Sequence, residues 1–65
     1  MKILVADDHP VVRKGLCEII SNERSIEEVR EAASGYEVVE LARNERFSVI
    51  VLEVSMPGLN GIETV

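Results

Sequence analysis

Two short runs, Lys2–Ala6 (KILVA) and Ser48–Leu52 (SVIVL), turn wholly apolar after a polar first residue. A strand with one wet face alternates apolar and polar side chains. These runs do not, so each reads as a strand covered on both faces, as in a parallel sheet clad in helices. The segments between them supply the helices. Residues 11–22 place Val12, Leu16, Ile19 and Ile20 at helical spacing, behind a Pro10 that suits a first helical turn. Gly15 inside that helix costs about 1 kcal/mol against alanine, and nothing in the sequence explains it.

Ser34 and Glu37 have the S-x-x-E spacing of a capping box ahead of Val38, Val39, Leu41 and Ala42, which predicts a second helix over 35–44. The intervening stretch 27–32 (EEVREA) is a weaker strand candidate, in which Glu27, Glu28, Arg30 and Glu31 read as a solvated edge that discourages pairing with other chains. The first strand spans 2–6, the third spans 47–53, and residues 61–65 begin a third helix. The order is therefore β-α-β-α-β. Connections this short require parallel strands and right-handed crossovers, the α/β class.

Sixty-five residues make at most one small domain, 1–65. A chain of that size buries only about 60% of its unfolded surface and is marginally stable without a staple or a partner. Cys17 is the single cysteine, which excludes an internal disulfide framework and fits a reducing compartment. No apolar run approaches the roughly 18 residues of a bilayer span, so the expectation is a soluble, cytoplasmic chain with no membrane partner. Twelve acidic against seven basic residues give a net charge of −5, which argues against these residues gripping nucleic acid phosphates. The most interior-looking strand is also the last, and residues 61–65 supply about one helical turn, too little to sustain itself. The chain reads as cut from something longer.

In an open parallel sheet, ligands bind beyond the carboxyl ends of the strands, where the strand order reverses. Asp7 and Asp8 follow the first strand, and Glu53 follows the third. If those strands are neighbours, three carboxylates crowd one crevice, and protons or a cation must compensate. Oxygen donors without a His or Cys cluster suit a hard cation such as Mg²⁺. Plainer readings stand beside this one. Asp-Asp before a helix is often an N-cap, a Glu after a strand is usually a solvated loop residue, and MPGLNG is a turn in its own right. His9 beside a proline reads as a surface side chain, and Cys17 as a small core residue.

Taken together, ILVADDHPVVRKGL at 3–16 and VIVLEVSMPGLNGIE at 49–63 resemble response-regulator receiver domains, the NarL/FixJ type in particular. The resemblance covers the whole chain. It implies the N-terminal, three-stranded half of a flavodoxin-like (βα)₅ fold, strand order 2-1-3, and phosphoryl transfer from a sensor histidine kinase to an aspartate at the end of the third strand, assisted by Mg²⁺. By that resemblance Asp8 matches the direct metal ligand, Asp7 one acting through water, and the Ser55 carbonyl a third ligand, with the acceptor position, Glu53, completing the metal set. Pro57 and Gly61 match the loop that shapes the site. Such a domain is not an enzyme of metabolism; DNA is bound only through an output domain, which is absent here.

Glu53 stands where the family carries its phosphoacceptor aspartate. One extra methylene displaces the carboxylate by about 1 Å, enough to spoil in-line attack, which depends on positioning. Mimicry of the phosphorylated state is partial, because one charge replaces the roughly −1.5 to −2 of a phosphate ester. The expectation is a receiver that is not phosphorylatable and whose Mg²⁺ binding is weak or lost. The expected assembly is a homodimer through the exposed edge of the third strand; the alternatives for function are a self-associating structural half-domain and a degenerate receiver that binds partners without phosphorylation.

Overall fold

The computed structural model describes residues 1–53 and Met56. Three strands and two helices follow one another as β1 (Lys2–Ala6), α1 (Pro10–Ser21), β2 (Glu28–Ala32), α2 (Gly35–Asn44) and β3 (Val49–Leu52). The strands form one sheet in the order β2-β1-β3. Both pairings are parallel, with Ala6 opposite Ala32 on one side and opposite Leu52 on the other. This is a partial flavodoxin-like fold.

Strand β1 is central, and its composition explains why. Ile3, Leu4, Val5 and Ala6 are all buried, so the strand lacks a wet face. Leu4 and Ala6 join Ala32, Val38 and Met56 in one core cluster, with Leu41 and Phe47 packed against it. Alternation along the strand turns Ile3 and Val5 to the opposite face. The chain steps from β1 outward to β2 and then back across to β3. Right-handed crossovers in opposite directions put α1 and α2 on opposite faces of the sheet.

Element ends differ from the sequence reading by a residue or two, for local reasons. Helix α1 begins at Pro10 rather than 11, because proline fills N1 behind the N-cap His9. It ends at Ser21, where the C-cap Asn22 donates its N–H back to Ile19 O at 3.3 Å. Glu27 lies just outside β2, though its N–H still donates to Met1 O at 3.0 Å. Strand β3 is shorter than 47–53. Phe47 leaves the ladder to pack on the core, while Ser48 N–H to Lys2 O (2.8 Å) and Glu53 N–H to Ala6 O (3.0 Å) bracket the strand.

Two expectations about apolar faces change. No residue of α1 is fully buried, and Val12 and Ile19, both expected on the inner face, are exposed, as is Val11. Strand β3 reads as interior, yet among the described residues it pairs with β1 alone, and Val49, Ile50 and Leu52 are 44, 39 and 36% exposed. The helical start at 61–65 lies outside the described residues.

Candidate functional site

The end of β1 is fixed before any charge is considered. Asp7 N–H donates to Ala32 O at 3.1 Å, one step past the last ladder pair, so the backbone of Asp7 remains tied to β2. Three residues later Pro10 sets the helix, and the chain between must turn sharply. Asp7 makes that turn itself: its Oδ1 accepts the His9 N–H at 2.8 Å, the local side-chain bond that aspartate favours at turns. The Asp7 carboxylate is therefore consumed locally, and α1 has no side-chain N-cap bond of its own.

His9 folds back over the same group. Its Nδ1 lies 2.8 Å from Asp7 Oδ1 and 3.0 Å from Asp8 Oδ1. Asp7 is 5% exposed. The His9 backbone N–H, then the imidazole, hold its carboxyl below the usual carboxylate range, against burial, which pushes it up. The Asp7 hydrogen bond raises His9 above its ordinary value, and the charges of Asp8, Asp7 and Glu53 act in the same direction. With His9 protonated, Nδ1–H donates to Asp7 and the imidazolium sits between the two carboxylates.

Glu53 arrives from the other strand. Ala6 faces Leu52 in the parallel register, so the next residues along each strand, Asp7 and Glu53, emerge side by side at the carboxyl edge of the sheet. The Glu53 N–H to Ala6 O bond seals the junction, and Met56 N–H donates to Glu53 O at 3.3 Å. Arg13, in the first turn and a half of α1, reaches the site from the helix side. Its guanidinium donates to the Asp7 carbonyl at 2.8 Å through one terminal nitrogen and to Glu31 Oε1 at 2.9 Å through Nε.

Asp7, Asp8 and Glu53 thus converge on one end of the sheet, as their spacing predicts for neighbouring strands. Ser55, Pro57 and Gly61 lie outside the described residues. The sequence reading missed three participants. His9 is exposed over most of its ring, yet its Nδ1 lies between the two acids, whose charges favour its protonated form; an aspartate two residues ahead of it was the available signal. Arg13 and Glu31 gave no local signal, since residues eighteen apart in sequence meet only through the β1–α1–β2 crossover. Glu31 and Arg30, taken for a solvated edge, both have partners: Arg13 for the first, and Glu45 at 2.8 Å for the second.

Asp7, Asp8 and His9 offer ligand atoms that all lie within 4.8 Å of one another. Carboxylate oxygens from Asp7 and Asp8 match what a hard divalent cation takes, and such an ion would replace the imidazolium as the compensating charge. The donor set fits Mg²⁺.

The sequence signature of the response regulator receiver domain matches residues 3–65. The chain belongs to the response regulator receiver domain family. Among curated proteins, this receiver is 44% identical over 62 residues to the nitrate/nitrite response regulator protein NarL of Escherichia coli K12, covering 95% of this chain and 29% of that one. It is 40% identical over 65 residues to the uncharacterized transcriptional regulatory protein YhcZ of Bacillus subtilis, covering 100% of this chain and 30% of that one. It is also 40% identical over 63 residues to protein-glutamate methylesterase/protein-glutamine glutaminase 4 of Myxococcus xanthus, covering 97% of this chain and 18% of that one. The receiver spans less than a third of the length of each of these relatives. No helix among the described residues is long and apolar enough to cross a membrane.

Proposed function

We propose that this receiver is the signalling domain of a two-component transcription regulator, with a glutamate at the phosphoacceptor position that makes it refractory to phosphorylation. The observation that carries the reading is the meeting of Asp7 and Glu53 at the ends of adjacent parallel strands, where a receiver gathers its acids. Asp8 and Asp7 would hold Mg²⁺, with Glu53 and the Ser55 carbonyl completing the set. The ion supplies charge neutralisation of the transferring phosphoryl group. The chain's own residues set the geometry: Asp7 is locked by His9, and Glu53 carries its carboxylate one methylene beyond the reach of an aspartate. Its upstream partner is a sensor histidine kinase, its compartment the cytoplasm, and DNA is reached through an output domain.

The test is intact-mass measurement after incubation with acetyl phosphate and Mg²⁺. No phosphoryl adduct is expected on this chain, and Glu53→Asp in the full-length regulator restores labelling. An adduct mapped to Glu53 overturns the reading.

A specific observation favours a second property. The half-exposed Val49, Ile50 and Leu52 on an edge strand are the kind of surface that recruits another strand. A second copy of the chain, pairing β3 antiparallel to its own β3 about a two-fold axis, covers that edge in a self-complementary way.

A further inference from the structure

Each half of the Asp7 backbone is held by a different element. The N–H side is bonded to Ala32 O of β2 at 3.1 Å, and the carbonyl side is bonded to Arg13 of α1 at 2.8 Å. The Asp7 carbonyl and the Asp8 N–H belong to one planar peptide unit. Whatever fixes that carbonyl fixes the direction in which the chain leaves Asp7, and with it the N–Cα axis about which the Asp8 side chain is set. Among the described residues, the Asp8 side chain is 34% exposed and meets His9.

Arg13 is well placed to do this. Its backbone N–H donates to His9 O at 2.9 Å, rooting it in the helix turn just after the acids. Its side chain is only 15% exposed. The guanidinium makes two bonds at once, to Glu31 Oε1 and to the Asp7 carbonyl, which the planar fork permits and a lysine ammonium does not reproduce. Glu31 also neutralises the guanidinium, so the positive charge need not compete for the acids.

We propose that Arg13 is a positioning residue for the acidic pair: by clamping the Asp7–Asp8 peptide against Glu31 of β2, it aims the Asp8 carboxylate into the cation site. This deepens the proposed function and rests on it as far as Mg²⁺ is concerned. Partners that orient metal ligands from behind are commonly worth about tenfold or more in metal affinity. Coulomb's law predicts the opposite sign. Removing a positive charge near a cation site tightens cation binding, whereas loss of the clamp loosens it.

The experiment uses the ¹⁵N-labelled chain as wild type, Arg13→Ala and Arg13→Lys, with thermal melts to confirm folding; Arg13→Lys keeps the charge and decides the matter if Arg13→Ala does not fold. Without metal, the Asp8 and His9 amide resonances are expected to shift or broaden in both variants, while amides of β3 stay in place. With Mg²⁺ added, the Kd read from amide shifts is expected to rise about tenfold in both. Wild-type Asp8 amides in the variants, or Mg²⁺ binding as tight as or tighter than wild type, overturns the assignment. If the wild type shows no Mg²⁺ response, the Mg²⁺ reading of the site fails, and the metal-free amide spectra alone decide whether Arg13 holds the peptide.

Discussion

Asp7 shows how a single residue can be both turn and site. Its buried carboxylate is used by the His9 N–H and the His9 ring, so the acid is ionised and oriented before any cation arrives. The two groups titrate with opposite signs. Asp7 titrates below its ordinary 3.8, so its contribution to stability is present above that pH and is lost as pH falls through the lowered value. His9 titrates above its ordinary 6.5, so its contribution is complete below that pH and is lost as pH rises through the raised value. The groups acting on the pair are Asp8, Arg13 from α1 and Glu53 from the end of β3. Urea midpoints are therefore expected to fall as pH rises above His9's ordinary 6.5. His9→Gln should flatten that alkaline slope and weaken the acid limb without abolishing it, because the residue-9 backbone N–H still holds Asp7. An unchanged slope in the variant refutes the pairing.

Among the elements, α2 is the better specified helix. Ser34 Oγ accepts the Glu37 N–H at 3.2 Å, as the capping-box spacing predicts, while the Glu37 carboxylate reaches back to the Ala33 N–H rather than to Ser34. Val38 from this helix is buried in the core. Helix α1 has no such advantages: no side-chain cap, no acidic residue in its first turn and no fully buried residue. It is anchored by proline at N1 and by Arg13. Gly15 is a further cost, and the space around it does not require glycine, since an added Cβ would meet nothing within 4 Å among the described residues. Gly15→Ala is expected to stabilise the fold by about 0.5–1 kcal/mol. In a chain of this size that raises the melting temperature by roughly 4–8 °C per kcal/mol. A melt unchanged or lowered means that something outside the described residues packs there.

At the scale of the whole molecule, the sheet is asymmetric. One edge, β2, is covered by charge: Arg30 bonds Glu45, which also takes Lys2 Nζ at 2.6 Å, and the Lys2 ammonium lies 5.2 Å over the Phe47 ring. The Lys2 bond is the main cause holding the Glu45 carboxyl below its ordinary range. The other edge, β3, carries valine, isoleucine and leucine. That contrast is why the proposed strand pairing is assigned to β3. Val49→Lys replaces a 44% exposed side chain with the residue natural edges use to prevent pairing, at little cost to the fold. Sedimentation equilibrium is expected to show a dimer for the wild-type chain and a monomer for Val49→Lys. A wild-type monomer with a cooperative melt disposes of the pairing.

The parallel α/β order was legible because it is a matter of local period. KILVA and VIVL lack alternation, the two intervening segments repeat every three to four residues, and Pro10 and Ser34 mark the helix starts. The acids at the strand ends were legible for the same reason, since a chain that runs strand-turn-helix puts the first residues after each strand on the sheet's carboxyl edge. The sequence could not decide the meetings that close only when a helix packs back on the sheet. Arg13 finds Glu31 and the Asp7 carbonyl only when α1 lies across β1 and β2. Arg30 finds Glu45 only when α2 returns beneath the sheet. His9 meets both carboxylates because the backbone turns at Asp7, and the Asp-x-His spacing was its one local signal. Periodicity determines which face of an element is apolar; the three-dimensional path alone decides which charge each polar side chain meets.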